Sequence, residues 1–214
     1  MLAEGELRAL LPGIDKTIGR ENGLTLRVLL ATYVRINEPV MAWREFINLK
    51  CGSWFVQDKS VKTRQEFMVP LLPVVIGRMR ELKAFAGDSL WQLSVRSNKR
   101  RNRLGDTHIG NTTLWAAITR AFEASKLEMR CLTPQDTRST ATSHMRDMGV
   151  SHEVSELAFN HKLKGMEGIY EAREEIPERR GARGLWAQFT ADCCDKKESV
   201  IVWPSRALQL RKAK

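Results

Sequence analysis

TPQDTRSTATSHM, residues 133–145, sets one arginine, Arg138, between an acid and a row of hydroxyls in a chain otherwise rich in basic side chains. Ala141, Met145 and Met148 fall on one helical face with it, and Gly149 ends that helix, because glycine takes a left-handed turn without steric cost. Ser151 caps a second helix carrying Val154, Leu157 and Ala158, which stops at Asn160-His161. A further short helix from about Met166 carries Tyr170, one of two tyrosines in the chain. Arg138 near a helix start, His161 at a helix end and Tyr170 nine positions later can converge on one anion. Helix N-termini and arginine forks both favour phosphate.

Upstream, the pattern is helical with one small β element. Residues 2–11 have helical apolar spacing and end at Pro12-Gly13, and residues 24–32 form a second, mostly apolar helix. A third is expected near Asn37, with Asn37 as its cap, Pro39 in its first turn, and Val40, Trp43, Phe46 and Ile47 facing the core. Arg35 then falls in the junction between two helices. SWFVQ and EFMVP read as two short strands, joined by the polar DKSVKTRQ that carries Lys62. Another helix starts at Pro73, and Asn111 can cap one running through Trp115, Ile118 and Phe122. Between them, RSNKRRNR (96–103) reads as a solvated charged loop. In a basic protein such a loop also suits a phosphate backbone, which makes Arg96, Lys99, Arg100, Arg101 and Arg103 the candidate DNA contacts.

Composition agrees with that partner. The 214 residues, 43% of them apolar, are enough for one sizeable domain or two small ones with a buried core. Lys and Arg number 35 against 25 acids, a net charge of +10, which favours a polyanion through counterion release. Nucleic acid leads a basic membrane-surface binder. No apolar run approaches the roughly 20 residues that cross a bilayer, and the N-terminus has no signal-peptide pattern, so a cytoplasmic location is expected. Cys51, Cys131, Cys193 and Cys194 form neither a disulfide framework nor zinc spacing. They read as reduced structural thiols; soft-metal binding by the vicinal pair Cys193 and Cys194 ranks below that, with no histidine near them in sequence.

TYVRINE, VKTRQEFMVPL, QDTRSTATSHMRDMGV and LAFNHKLKGMEGIY, in this order, resemble the signature blocks of the tyrosine recombinase (phage integrase) family, especially integrases of prophages and genomic islands. Ordered blocks span roughly residues 5–190. The first is similar to TGxRxxE and puts the family's first catalytic arginine on Arg35 and its acid on Glu38. The second puts the β-hairpin lysine on Lys62, the third the second arginine on Arg138, and the fourth the late histidine on His161. Tyr170 takes the nucleophile's place. Singly, Arg35 reads as a partner of Glu38, Lys62 as an exposed hairpin lysine, His161 as a helix-end cap and Tyr170 as a half-buried core residue. Five residue types in order and in context outweigh those readings.

The resemblance implies an α+β, mainly helical catalytic domain over residues 1–190 with a small antiparallel sheet, and a C-terminal tail, 191–214, packing on its own or a neighbouring protomer. It implies cleavage and rejoining of double-stranded DNA through a 3′-phosphotyrosine, by a bacterial enzyme that assembles as a synaptic tetramer and needs no metal or other cofactor. Two departures bear on this. Gln135 stands where the family has histidine, and glutamine can donate a hydrogen bond but carries neither charge nor a transferable proton. The N-terminal clamp domain of family members is missing ahead of the catalytic block, which reads as a fragment of a longer integrase or a minimal relative. Alternatives are a DNA-binding remnant or regulator with weakened catalysis, and a type IB topoisomerase-like enzyme.

Overall fold

The computed structural model describes residues 1–60, 66–124, 132–159 and 177–197. Lys62, Cys131, His161, Tyr170, the helix expected from Met166 and the SVIVW segment lie outside the described residues, as does the side chain of Leu157. Two short helices, α1 (Glu4–Leu10) and α2 (Ile14–Ile18), break at Pro12-Gly13 and lead into α3 (Arg20–Thr32). Every residue of α3 from Asn22 to Thr32 is buried, so this helix has no solvated face and forms the centre of the domain. Its polar side chains bond internally: the hydroxyls of Thr25 and Thr32 donate one turn back to the Glu21 and Val28 carbonyls, and Arg27 donates to Leu11 O at 2.7 Å. That removes most of the cost of burying them.

The helix expected from Asn37 is a single turn, α4 (Asn37–Val40), with Ile36 and not Asn37 at its cap position. It ends because the next backbone groups pair elsewhere: Gln92 N donates to Ala42 O and Arg44 N to Leu90 O, both at 2.9 Å. Trp43 is therefore 38% exposed, standing edge-on to Trp91, and Phe46 and Ile47 are only partly buried.

A three-stranded antiparallel sheet follows, ordered β1 (Ile47–Asn48), β2 (Ser53–Val56), β3 (Phe67–Pro70). The β2–β3 hairpin is the one read from SWFVQ and EFMVP; β1 is an addition too short to show a period. Trp54 pairs with Val69 on the buried face and Phe55 with Met68 on the other. Gly52 turns β1 into β2 at φ +66°, and a Cβ there would meet Leu71 O at 2.9 Å, so glycine is required.

Helix α5 (Pro73–Ala86) starts at the proline as expected. Residues 96–103 are not a loop: α6 (Asn98–Leu104) forms there, with Ser97 Oγ accepting from Arg100 N and Gly105 closing it at φ +72°. Ser97 supplies the cap, and Arg101 and Arg103 in the last turn suit the negative end of the helix dipole, which together offset the repulsion along the block. The residues stay largely exposed, as expected of them. In α7 (Thr113–Glu123) the cap position falls to Thr112, not Asn111.

Helix α8 (Asp136–Asp147) ends as the sequence implies. Gly149 at φ +86° lets its own N–H bond Arg146 O while Val150 N bonds Met145 O, and Met145 and Val150 are both buried. Ser151 Oγ then accepts from Val154 N at the start of α9 (His152–Ala158). Helix α10 (Pro177–Asp195), which packs on α3, α8 and α9, has no counterpart among the expected elements. Its Trp186 is fully buried and donates through Nε1 to Leu30 O of α3, and burial pushes the Cys193 thiol up to about 11. The described cysteines, Cys51, Cys193 and Cys194, are unbridged. The whole is α+β and mainly helical, with one small antiparallel sheet.

Candidate active site

The site is assembled where α3 ends. Tyr33 N still bonds Leu29 O at 2.7 Å, but Tyr33 itself is left-handed, φ 43° and ψ 27°, so the chain leaves the helix axis there. The Tyr33 ring is buried, and two residues later Arg35 emerges in the junction before α4. Glu38, 1% exposed, folds back: its Oε2 accepts from Arg35 N at 2.7 Å and its Oε1 lies 3.7 Å from Arg35 Nη1. Burial raises the Glu38 carboxyl above its ordinary value, opposed by that N–H bond and by the charges of Arg138 and Arg35.

Arg138, in the first turn of α8, comes to the same place from the other half of the chain. Its Nη1 donates to Tyr33 O at 2.6 Å and its Nη2 to Phe159 O at 3.2 Å, with Cζ 5.0 Å from the centre of the Phe159 ring. Burial, then the nearby Arg35 cation, lower its pKa to about 10 against the pull of Glu38. Two arginines thus lie within electrostatic range of one another and of one buried carboxylate. A guanidinium pair beside a single acid carries net positive charge, which an anion such as a phosphodiester can balance.

Gln135 occupies the cap position of α8, one turn before Arg138, is exposed, and makes no capping bond. The side-chain bonds at this entrance run between Thr133 and Asp136: Thr133 N and Oγ1 donate to Asp136 Oδ2 at 2.7 and 3.0 Å. The structure therefore brings Arg35, Glu38 and Arg138 together, with Gln135 on the same helix entrance. Lys62, His161 and Tyr170 lie outside the described residues.

The basic helix α6 is held elsewhere. Arg96, just before it, pairs with Glu21 at 2.7 Å at the start of α3, whereas Arg138 meets Tyr33 at the end of α3. At 1.5 Å per residue those two ends of α3 are about 18 Å apart. Arg101 lies 4.0 Å from Asp106, while Lys99, Arg100 and Arg103 have no acidic partner among the described residues.

Three residues the sequence did not single out belong to the arrangement: Tyr33 and Phe159, whose carbonyls hold Arg138, and Arg183 of α10, whose Cζ lies 5.3 Å from the centre of the Tyr33 ring. Only Tyr33 had a local signal, since it stands at the glycine of the TGxRxxE pattern. Among the described residues no group of three His, Cys, Asp or Glu side chains could hold a metal ion, and no helix is long and apolar enough to cross a membrane. No curated protein matches the chain. The family model of the phage integrase family matches residues 1–175.

Proposed function

The chain belongs to the phage integrase family, whose members are tyrosine recombinases acting on DNA, and from that membership we propose that it is a site-specific recombinase catalytic domain using a 3′-phosphotyrosine intermediate. One observation carries the proposal: Arg35 and Arg138 reach one place, beside buried Glu38, from opposite halves of the chain. The Tyr170 phenol attacks the scissile phosphorus, forming a tyrosyl phosphate bond as the bond to the 5′ oxygen breaks. Arg35 and Arg138 hold the nonbridging oxygens as charge builds on the phosphorane. Lys62 gives its proton to the leaving 5′ oxygen, His161 receives the phenolic proton, and Gln135 gives one neutral hydrogen bond. The 5′-hydroxyl of a partner strand reverses the step and the strands are exchanged. Lys99, Arg100 and Arg103 follow the duplex backbone beyond the reacting phosphate; the about 18 Å along α3 corresponds to about five base pairs. Assembly on DNA as a tetramer, and a setting in a bacterial prophage or genomic island, belong to the same reading.

A second reading, a DNA-binding remnant or regulator, is favoured by Gln135 alone, which removes a charged group from the phosphate site. A duplex nicked so that the cleaved piece is lost separates the two. The wild type is expected to accumulate a covalent adduct that Tyr170→Phe does not form, with DNA affinity nearly unchanged. Binding without adduct would make the remnant the better account. A requirement for two recombination sites in one reaction sets a recombinase apart from a topoisomerase.

A further inference from the structure

Arg183, in the middle of α10, is only 4% exposed and has no part in the reaction proposed above. Its Nη2 donates to Ala158 O at 2.7 Å, which pins the peptide group leading into Phe159. Its Cζ lies 5.3 Å from the Tyr33 ring centre, the Tyr33 and Phe159 rings are 4.4 Å apart, and Arg138 Cζ lies 5.0 Å from the Phe159 ring. The order of groups is cation, ring, ring, cation. Tyr33 and Phe159 are also the residues whose carbonyl oxygens accept from Arg138. Arg183 therefore touches both supports of Arg138, the ring of one and the peptide before the other.

A guanidinium removed from water is costly unless well paired, and Nε and Nη1 of Arg183 have no hydrogen-bond acceptor among the described residues. Methionine or leucine would fill the space between α9 and α10 without that cost. Neither would bond the Ala158 carbonyl while setting a cation over an aromatic ring, which a guanidinium does.

We propose that Arg183 is a positioning residue for Arg138, fixing the Tyr33 ring and the Ala158–Phe159 peptide so that the carbonyls of Tyr33 and Phe159 set the plane of the Arg138 guanidinium. The catalytic consequence rests on the recombinase reading; the geometry does not.

The test compares the full-length wild type with Arg183→Met and Arg183→Lys. Nitrogen-15 spectra of the guanidinium groups, with the Arg138 signals assigned by their loss in Arg138→Lys, read how fast the Arg138 Nη groups rotate. Arg183→Met is expected to speed that rotation about tenfold or more, and Arg183→Lys, which keeps the charge without the planar fork, by a smaller factor. Cys193→Ala, which disturbs α10 away from Arg138, should leave it unchanged. On the nicked duplex at saturating DNA, Arg183→Met should form adduct about tenfold more slowly while half-saturation moves less than about twofold, as misplacement costs rate before binding. Unchanged rotation in both Arg183 variants, or equal loosening by Cys193→Ala, overturns the proposal whether or not adduct forms. A wild type that forms no adduct overturns the recombinase reading, and the spectra still decide on Arg183. If Arg183→Met loses its cooperative thermal transition, the rotation rate in Arg183→Lys decides instead.

Discussion

Arg138 and Tyr33 are 105 residues apart in sequence, and Nη1 of the first donates to the carbonyl oxygen of the second at 2.6 Å. The carbonyl belongs to a residue in the left-handed region, where the chain quits α3. A helix end thus supplies the anchor for a guanidinium, and the residue that makes the end is a buried tyrosine where the family pattern has glycine.

Tyr33→Gly sets two effects against each other. Glycine removes a left-handed penalty of about 1–2 kcal/mol, while losing a fully buried ring that touches Phe159 and Arg183 costs about 3–5 kcal/mol. The ring should win, and Tyr33→Gly should be less stable by about 2 kcal/mol in denaturant unfolding. A variant as stable as the wild type would show that backbone strain dominates at this turn.

Glu38 makes stability depend on pH in a defined direction. Burial raises its carboxyl above the ordinary value, so the folded protein keeps this proton to higher pH than the unfolded chain does. The contribution is then fully present below the unfolded value and lost as pH rises through the folded one. Glu38→Gln cannot titrate. The unfolding free energy of the wild type minus that of Glu38→Gln should grow as pH falls from about 7 to about 5. A difference that shrinks over that interval would mean that the two arginine charges outweigh burial.

What the sequence disclosed follows the range of the interactions. The Arg138 face and its stop at Gly149 were legible because a helical period and a left-handed glycine act within a few residues. The β2–β3 hairpin was legible for the same reason. Trp43 was misread because the backbone bridge that ends α4 comes from Trp91, outside any local window. The block at 96–103 did hold a helix signal in Ser97, but its charge pointed towards a solvated loop. At the site, Arg35 and Arg138 could be named from their motifs, yet the supports of Arg138 come from the ends of α3 and α9 and from α10. Only folding makes those groups neighbours.

The basic helix should divide into two classes of cation. Arg96 and Arg101 lie against Glu21 and Asp106, whereas Lys99, Arg100 and Arg103 have no acidic partner among the described residues. Replacing Lys99, Arg100 and Arg103 together by alanine should lower duplex affinity and reduce the slope of log affinity against log salt by about 0.9 for each phosphate no longer neutralised. Replacing Arg96 and Arg101 should change the slope less. Fluorescence anisotropy at several salt concentrations reads both, and equal slopes in all three proteins would remove α6 from the DNA-binding surface.

Gln135 tests whether the phosphate site is intact or decayed. It is exposed at the entrance of α8, and the side-chain bonds there run between Thr133 and Asp136, so Gln135→His leaves the fold's own side-chain bonds untouched. Stability should change by less than about 0.5 kcal/mol, as for other surface substitutions. A histidine there adds a donor that can also carry charge, one turn from Arg138, and a charge-assisted bond to a phosphate is about twice as strong as a neutral one. If Arg35 and Arg138 already grip the scissile phosphate, adduct formation on the nicked duplex should rise by about tenfold, or about 1.4 kcal/mol of transition-state stabilisation. Arg138→Ala in the same background should remove about 3 kcal/mol or more and cancel the gain. A Gln135→His protein that binds duplex normally yet stays as inert as an inert wild type would place the defect outside position 135 and favour the DNA-binding remnant.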